Sequence, residues 1–280
     1  MDRKELKARA KEAVLAAPGT KGITLVFLGA ILLLFLLEIG VTELVGRSSQ
    51  NVNYLSQMVS SQTRSYVAAV GVSLVCQLVM VIFQAGYQGF GLDLSRRESW
   101  SMQTLLDGFY VWHRVVLAYL LVSILLGLWS SILSMPLSYL LTSLYLTENI
   151  SMDTIITVMT VYMLIVMWIL SYRYRLMWFV LMDDTEKPVR QVIAETKAIN
   201  QGHRMELFLL DLSFVPWGLL CLLTCGVLLI WKLPWMIATY ALAYQKMVEE
   251  FAVRRTQADE RLAEYRRQME QYRNKEDDSE

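Results

Sequence analysis

The sequence predicts an all-α polytopic membrane bundle of about six transmembrane helices, and three observations carry that prediction. Several uncharged apolar runs reach the roughly 20 residues that a helix needs to cross a hydrocarbon core about 30 Å thick. The charged residues, 19% of the chain, are confined to the first 22 positions, the connections and the last 35, although their total cancels to zero. Finally, 55% of the 280 residues are hydrophobic and the mean hydropathy is +0.38, averages that a soluble domain seldom combines with long uncharged runs.

Residues 2–17 (DRKELKARAKEAVLAA) are strong helix formers. Leu6, Ala10, Ala13, Val14 and Ala17 fall on one side and Arg3, Lys4, Lys7 and Lys11 largely elsewhere, the pattern of a helix lying in the membrane interface. Pro18-Gly19 ends it. This opening is not a secretory signal, because the apolar run that follows is too long and lacks a small-residue cleavage pattern.

Span one is expected over residues 23–45, with Glu38 and Glu43 towards its far end, followed by a polar stretch, 46–63. Span two covers 66–91 and span three 115–135. Between them, 93–114 is charged and contains LLDGFYVWHR, a second interfacial helix. Residues 136–146 continue span three or re-enter the membrane. Span four is 155–182, with Arg173 and Arg175 in its second half. Span five is 207–230, bent at Pro216; Trp231-Lys232-Leu233-Pro234 makes a tight turn; span six is 235–251.

Residues 1–20 therefore form the amino-terminal interfacial helix, 21–251 the six-span domain and 252–280 a cytoplasmic helical tail. In the tail Phe251, Ala258, Leu262, Tyr265, Met269 and Tyr272 keep a three-four spacing, the minimum for a coiled coil that pairs with a second copy or a protein partner. The last residues, 274–280, have a disordered composition. Counting Lys and Arg puts 23 on one side and Arg47, Arg64 and Lys232 on the other, so both termini are expected in the cytoplasm.

An internal repeat runs through the chain. His113 and His203, the two histidines, are each followed by arginine and an apolar span, 90 residues apart. The same offset aligns Asp93 with Asp183, Leu117 with Leu207 and Ser123 with Ser213, giving parallel units of about 66–135 and 155–230. His113-Arg114 and His203-Arg204 then fall where a span enters the membrane, positions suited to lipid phosphate contact.

Four stretches carry a family resemblance: MDRKELKARAKEAV, GYQGFGLDLSRRESWSMQTLLDGF, VIAETKAINQGHRMELFLLDLSFVPWGLL and LPWMIATYALAYQKM. Together they make the chain, up to Met247, resemble a bacterial integral membrane family known as domain of unknown function 975. The resemblance implies a multi-pass protein of the bacterial plasma membrane and brings no activity. Where the family pattern has an Ile-Pro-Gly-Ile-like break in span four, this chain has Ile169-Leu170-Ser171-Tyr172, which argues against a kink there. Where members commonly have Pro-Tyr at the start of span six, it has Pro234-Trp235.

Chemistry-bearing residues are few. Arg175 is expected to contact Asp211, just inside span five, because a carboxylate in hydrocarbon is costly unless paired or hydrated; Arg173 is expected to snorkel to the interface. Gln77, Gln84 and Gln88 share one face of span two, a polar stripe of the kind that bonds neighbouring helices. Glu38 lies deeper than Glu43 and is the candidate for a watery vestibule. Cys76, Cys221 and Cys225 sit in apolar runs, the last two on one helix face, and are read as buried packing. Tryptophans cluster near the expected boundaries as an aromatic belt. No zinc-protease signature, nucleophile elbow, phosphate loop or CxxC pair is present, so neither an enzyme nor a metal or cofactor site is expected, and no nucleic-acid partner.

Two classes of function remain: a non-enzymatic scaffold or accessory subunit acting at the cytoplasmic face, and a small transporter or carrier built around the repeated hairpins. Sparse mid-membrane charge favours the first. A cavity that reaches the glutamine stripe would favour the second.

Overall fold

The computed structural model describes residues 2–49, 55–97, 101–147 and 151–277. Among them every regular element is a helix, and five helical stretches are long and apolar enough to cross a membrane: Thr20–Leu44, Val67–Arg96, Trp112–Leu146, Met152–Asp183 and Arg204–Leu223.

Helix α1 (Arg3–Ala16) is capped by the Asp2 carboxylate, which accepts from the Lys4 amide at 2.9 Å. Its Leu6, Ala10 and Ala13 are buried against α11 (Leu229–Asp277). The face expected to lie on headgroups is thus a protein-packing face, because three small or branched apolar residues on one side suit close helix crossing as well as they suit lipid. The Nε1 of Trp235 donates to the Lys7 carbonyl at 3.0 Å and fixes this crossing.

Helices α2 (Thr20–Ser49) and α3 (Leu55–Arg96) form a hairpin; residues 50–54 of its connection, part of the expected polar stretch, lie outside the described residues. Phe27 stacks on Tyr87 with ring centroids 4.2 Å apart, and Thr24 Oγ1 meets the Tyr87 hydroxyl at 3.1 Å.

After α3 a 3-10 turn (Thr104–Leu106) leads into the four-residue α4 (Asp107–Tyr110) in place of one interfacial helix. Two glycines explain how closely this turn sits on α3. A Cβ on Gly108 would stand 2.4 Å from the Ile82 carbonyl oxygen, and one on Gly86 would stand 2.2 Å from that of Leu105. Burial raises the pKa of the Asp107 carboxyl here.

Helix α5 (Trp112–Leu146) passes through Pro136 unbroken, so 136–146 continues span three. Helix α6 (Met152–Ser171) does break, at the position where the sequence argued against a kink. A 3-10 turn (Tyr172–Tyr174) separates it from α7 (Met177–Asp183). The cause lies in α8 (Val189–Ile199): the fully buried Asn200 that follows it donates to the carbonyls of Tyr172 and Arg173 at 3.4 and 3.2 Å, taking over acceptors that a continuous helix would have satisfied. On the polar surface of this layer, burial works against the Lys187 charge, but Glu195 and Asp184 outweigh it and raise its pKa.

Expected span five is also two helices, α9 (Arg204–Leu212) and α10 (Val215–Leu223), interrupted at 213–214 directly before Pro216, which occupies the first turn of α10. The chain then turns at 224–228, where Cys225 and Gly226 take left-handed φ of +49° and +83°. Residues 231–234, expected to be that turn, belong to α11, which runs through Pro234. Cys221 is buried, but Cys225 is exposed in the turn, so the two do not share a helix face. The tail is a continuation of α11 whose side chains over 252–270 are all exposed.

The two segments expected to repeat, 66–135 and 155–230, differ in build. The first carries the 3-10 turn and α4 where the second carries the eleven-residue α8. The buried core gathers at one end of the spans, around Phe90, Leu176, Val192, Ile199, Leu207, Leu210 and Met247.

Candidate functional site

The broken fourth span positions the site. Freed from helical register, the segment after Ser171 turns Arg175 towards Asp211, whose Oδ1 lies 3.0 Å from Arg175 Nη2. Two phenols complete the carboxylate's shell: Tyr172 donates to Oδ2 at 2.6 Å and Tyr240, from α11, donates to Oδ1. The guanidinium also lies 5.2 Å from the centroid of the Tyr240 ring. One turn further along α11, Tyr244 donates to Asp183 Oδ2 at 2.9 Å, and Arg96 pairs with the same carboxylate. Two Tyr-Asp-Arg clusters are therefore stacked along one face of α11.

Beside the first cluster is a cavity of about 450 Å³, within the size range of small-molecule sites. Gln77, Gln84 and Gln88 line it from α3, Tyr119, Val122, Ser123 and Leu126 from α5, Tyr174 and Arg175 from the broken span, Phe27 from α2, and Leu233, Ile237 and Tyr240 from α11. Arg175 is the one charged residue in that lining. Asp211 is not part of it, and the accessibility of the two side chains, 42% and 15%, differs in the same sense. The cavity thus meets the cation while the anion is covered by phenols. The Oε1 of Gln88 is buried without a hydrogen-bond partner among the described residues.

Other predicted positions are placed elsewhere. Glu38 is eleven residues beyond Phe27, about 16 Å by helical rise, and does not line the cavity. Thr42 donates to its carbonyl. Arg173 is exposed. Arg114 donates to the carbonyls of Glu186 and Lys187, closing the loop before α8. His203 is enclosed by α9 and α11: Nδ1 is 2.9 Å from Glu206, and Nε2 is 3.3 Å from Glu250 and 3.2 Å from Arg254. Both residues are engaged within the protein rather than left for lipid. His113 and Arg204 are exposed, His113 against Trp112.

Sequence reasoning missed Tyr172, Tyr240, Tyr244 and Asn200. The two α11 tyrosines are four apart, as one helix face requires, but nothing in a run of apolar and aromatic residues distinguishes them from packing. Asn200 sits in a polar connection, where an amide is unremarkable.

The family model described as protein of unknown function (DUF975) matches residues 1–250. No curated protein and no solved structure matches the chain.

Proposed function

The chain belongs to the family described as protein of unknown function (DUF975), and from that premise we propose that it is a non-enzymatic binding protein or carrier of the bacterial plasma membrane, whose cavity takes an anionic ligand with an apolar body. The observation that carries this reading is the asymmetry of the Arg175–Asp211 pair. Asp211 receives two phenolic hydrogen bonds of its own, so its charge stays supported when Arg175 is lent to another anion. Among the described residues only Nη2 of Arg175 makes a hydrogen bond, which leaves the Nη1 donors for the oxygen of a carboxylate or phosphate. The glutamines and Ser123 supply neutral hydrogen-bonding groups, and Phe27, Val81, Val122 and Leu126 the apolar wall.

In this reading the termini are cytoplasmic, on the strength of the Lys and Arg count. The units at 66–135 and 155–230 descend from one repeated hairpin whose loops have diverged.

The test uses the full chain in lipid nanodiscs, with Trp178 fluorescence as the readout, since that indole lines the cavity. Dodecyl phosphate should bind saturably and dodecanol at least tenfold more weakly. Arg175→Gln should lose about the same factor, near 1.4 kcal/mol. Equal binding of phosphate and alcohol removes the anion preference, and no saturable binding by either removes the cavity as a ligand site.

A scaffold role has one observation in its favour, the exposed helical tail beyond Phe251. If the tail drives assembly, deleting 252–280 lowers the oligomeric number in detergent; an unchanged number eliminates that role.

A further inference from the structure

We infer that the hairpin of α10 and the start of α11 does not cross the bilayer but enters from the amino-terminal side, turns inside the hydrocarbon and returns to the same side, its tip a surface made for acyl chains.

Length is the first argument. The Tyr172–Asp211–Tyr240 contact marks one layer that three segments share. From that layer α6 runs outward over 20 residues, Met152–Ser171, about 30 Å by helical rise. Residues 212–223 on one leg of the hairpin and 229–240 on the other each supply only 12 from the same layer, about 18 Å even if perfectly straight. The legs meet through the Trp217 side chain: Trp217 and Trp235 pack edge to face at 5.9 Å, and Lys232 Nζ lies 3.6 Å from the Trp217 centroid. The tip therefore falls about 12 Å short of the far end of α6, well inside a core about 30 Å thick.

The chemistry of the turn is the second argument. From Val215 to Trp231 there is no charged residue, and the tip is flanked by Leu222, Leu223, Val227, Leu228 and Leu229. A loop in water has no need to satisfy its own amides, whereas a turn in hydrocarbon must. Here each backbone N–H from Thr224 to Lys232 has a partner within the hairpin. Gly226 donates to the Cys221 carbonyl at 2.8 Å, Cys225 to Leu222 at 3.1 Å, and Val227 to Thr224 at 3.1 Å, while Leu228 donates to the Thr224 hydroxyl at 3.4 Å. That hydroxyl in turn donates to the carbonyls of Leu220 and Cys221.

The base of the hairpin supplies the third. Lys7, on the helix that precedes span one, places Nζ 4.2 Å from the Phe214 centroid and donates to the Ser213 carbonyl at 3.2 Å. The point where α10 begins is thus tied to the side from which the chain first enters the membrane. Lys232, which the charge count had set on the far side, belongs to this near half.

Cys225 at the tip is a native reporter. In a Cys76→Ala, Cys221→Ala background, a membrane-impermeant maleimide should react with intact membranes at Ser151→Cys, in the connection between α5 and α6, and at least tenfold more slowly with Cys225 from either face. Cys225 should become reactive once the bilayer is dissolved in SDS. Labelling of Cys225 from the same face as Ser151→Cys, at a similar rate, would overturn the inference. Independently of the cysteine background, Val227→Lys should sharply lower the amount of protein recovered in membranes, since the charge would sit in hydrocarbon; wild-type recovery would equally overturn it.

Discussion

The inner layer of the molecule and the outward lengths of its spans are equally apolar in composition but opposite in packing. In the inner layer, Leu207, Leu210 and Ile199 are fully buried within the core. Along the spans, no more than 22% of any apolar window is buried, and in the fourth span only 6% is. The spans are held mainly as two hairpins, α2 with α3 and α5 with α6, which meet near the cavity. Hydrophobicity alone thus names two different solvents. Inner-layer side chains are solvated by protein, and those of the spans by lipid. The cavity sits at the junction of the two regimes, which is where polar groups can be both sheltered by packing and reached from the bilayer.

The sharpest way to break this contrast is a single type of substitution made in both regions. Leu207→Ala opens a void that rigid neighbours cannot fill, and it should cost about 3 kcal/mol, seen as a large fall in the melting temperature of the purified protein in detergent. A change as small as that of a lipid-facing leucine would mean that the inner layer is not the packed core.

A smaller effect tests how the inner layer is attached to the spans. Gly108→Ala pushes a methyl to within 2.4 Å of the Ile82 carbonyl oxygen, a backbone atom that cannot rotate away. The turn before α5 must lift off α3, at a cost of about 2 kcal/mol. Protease cleavage within 101–112 should become faster in membranes, whereas wild-type cleavage and melting would show that α3 and the turn are free to separate.

The sequence made this division only half legible. Apolar length, which follows from the bilayer as a solvent, picked out the five stretches long enough to cross it, but the sixth expected span, 235–251, is not among them in the described residues. The contact of Arg175 with Asp211 could be anticipated from the cost of an unpaired carboxylate near hydrocarbon. The break after Ser171 could not, because its cause is Asn200, 28 residues away, acting through tertiary hydrogen bonds. The turn at 224–228 was hidden for a related reason: it carries no charge and Thr224 as its one hydroxyl, so a reading that looks for loops at charged residues shifts it to Lys232 and lengthens span five. The face of α1 misled in the opposite direction, since an amphipathic stripe specifies an apolar partner without saying whether that partner is lipid or α11.

The smallest expected effect is the most telling about the spans. Leu164, in the middle of α6, is 67% exposed. In Leu164→Ala the space left by the side chain is filled by acyl chains in folded and unfolded membrane-inserted states alike, so no cavity term arises and the stability change should stay below about 0.5 kcal/mol. The same melting assay checks it, made in nanodiscs so that lipid is present. If the loss approached that of Leu207→Ala, α6 would be buried against protein in the membrane. Its partner would then be a second copy of the chain, since among the described residues α6 packs within one copy mainly against α5, with Trp168 at its end meeting Phe208 of α9.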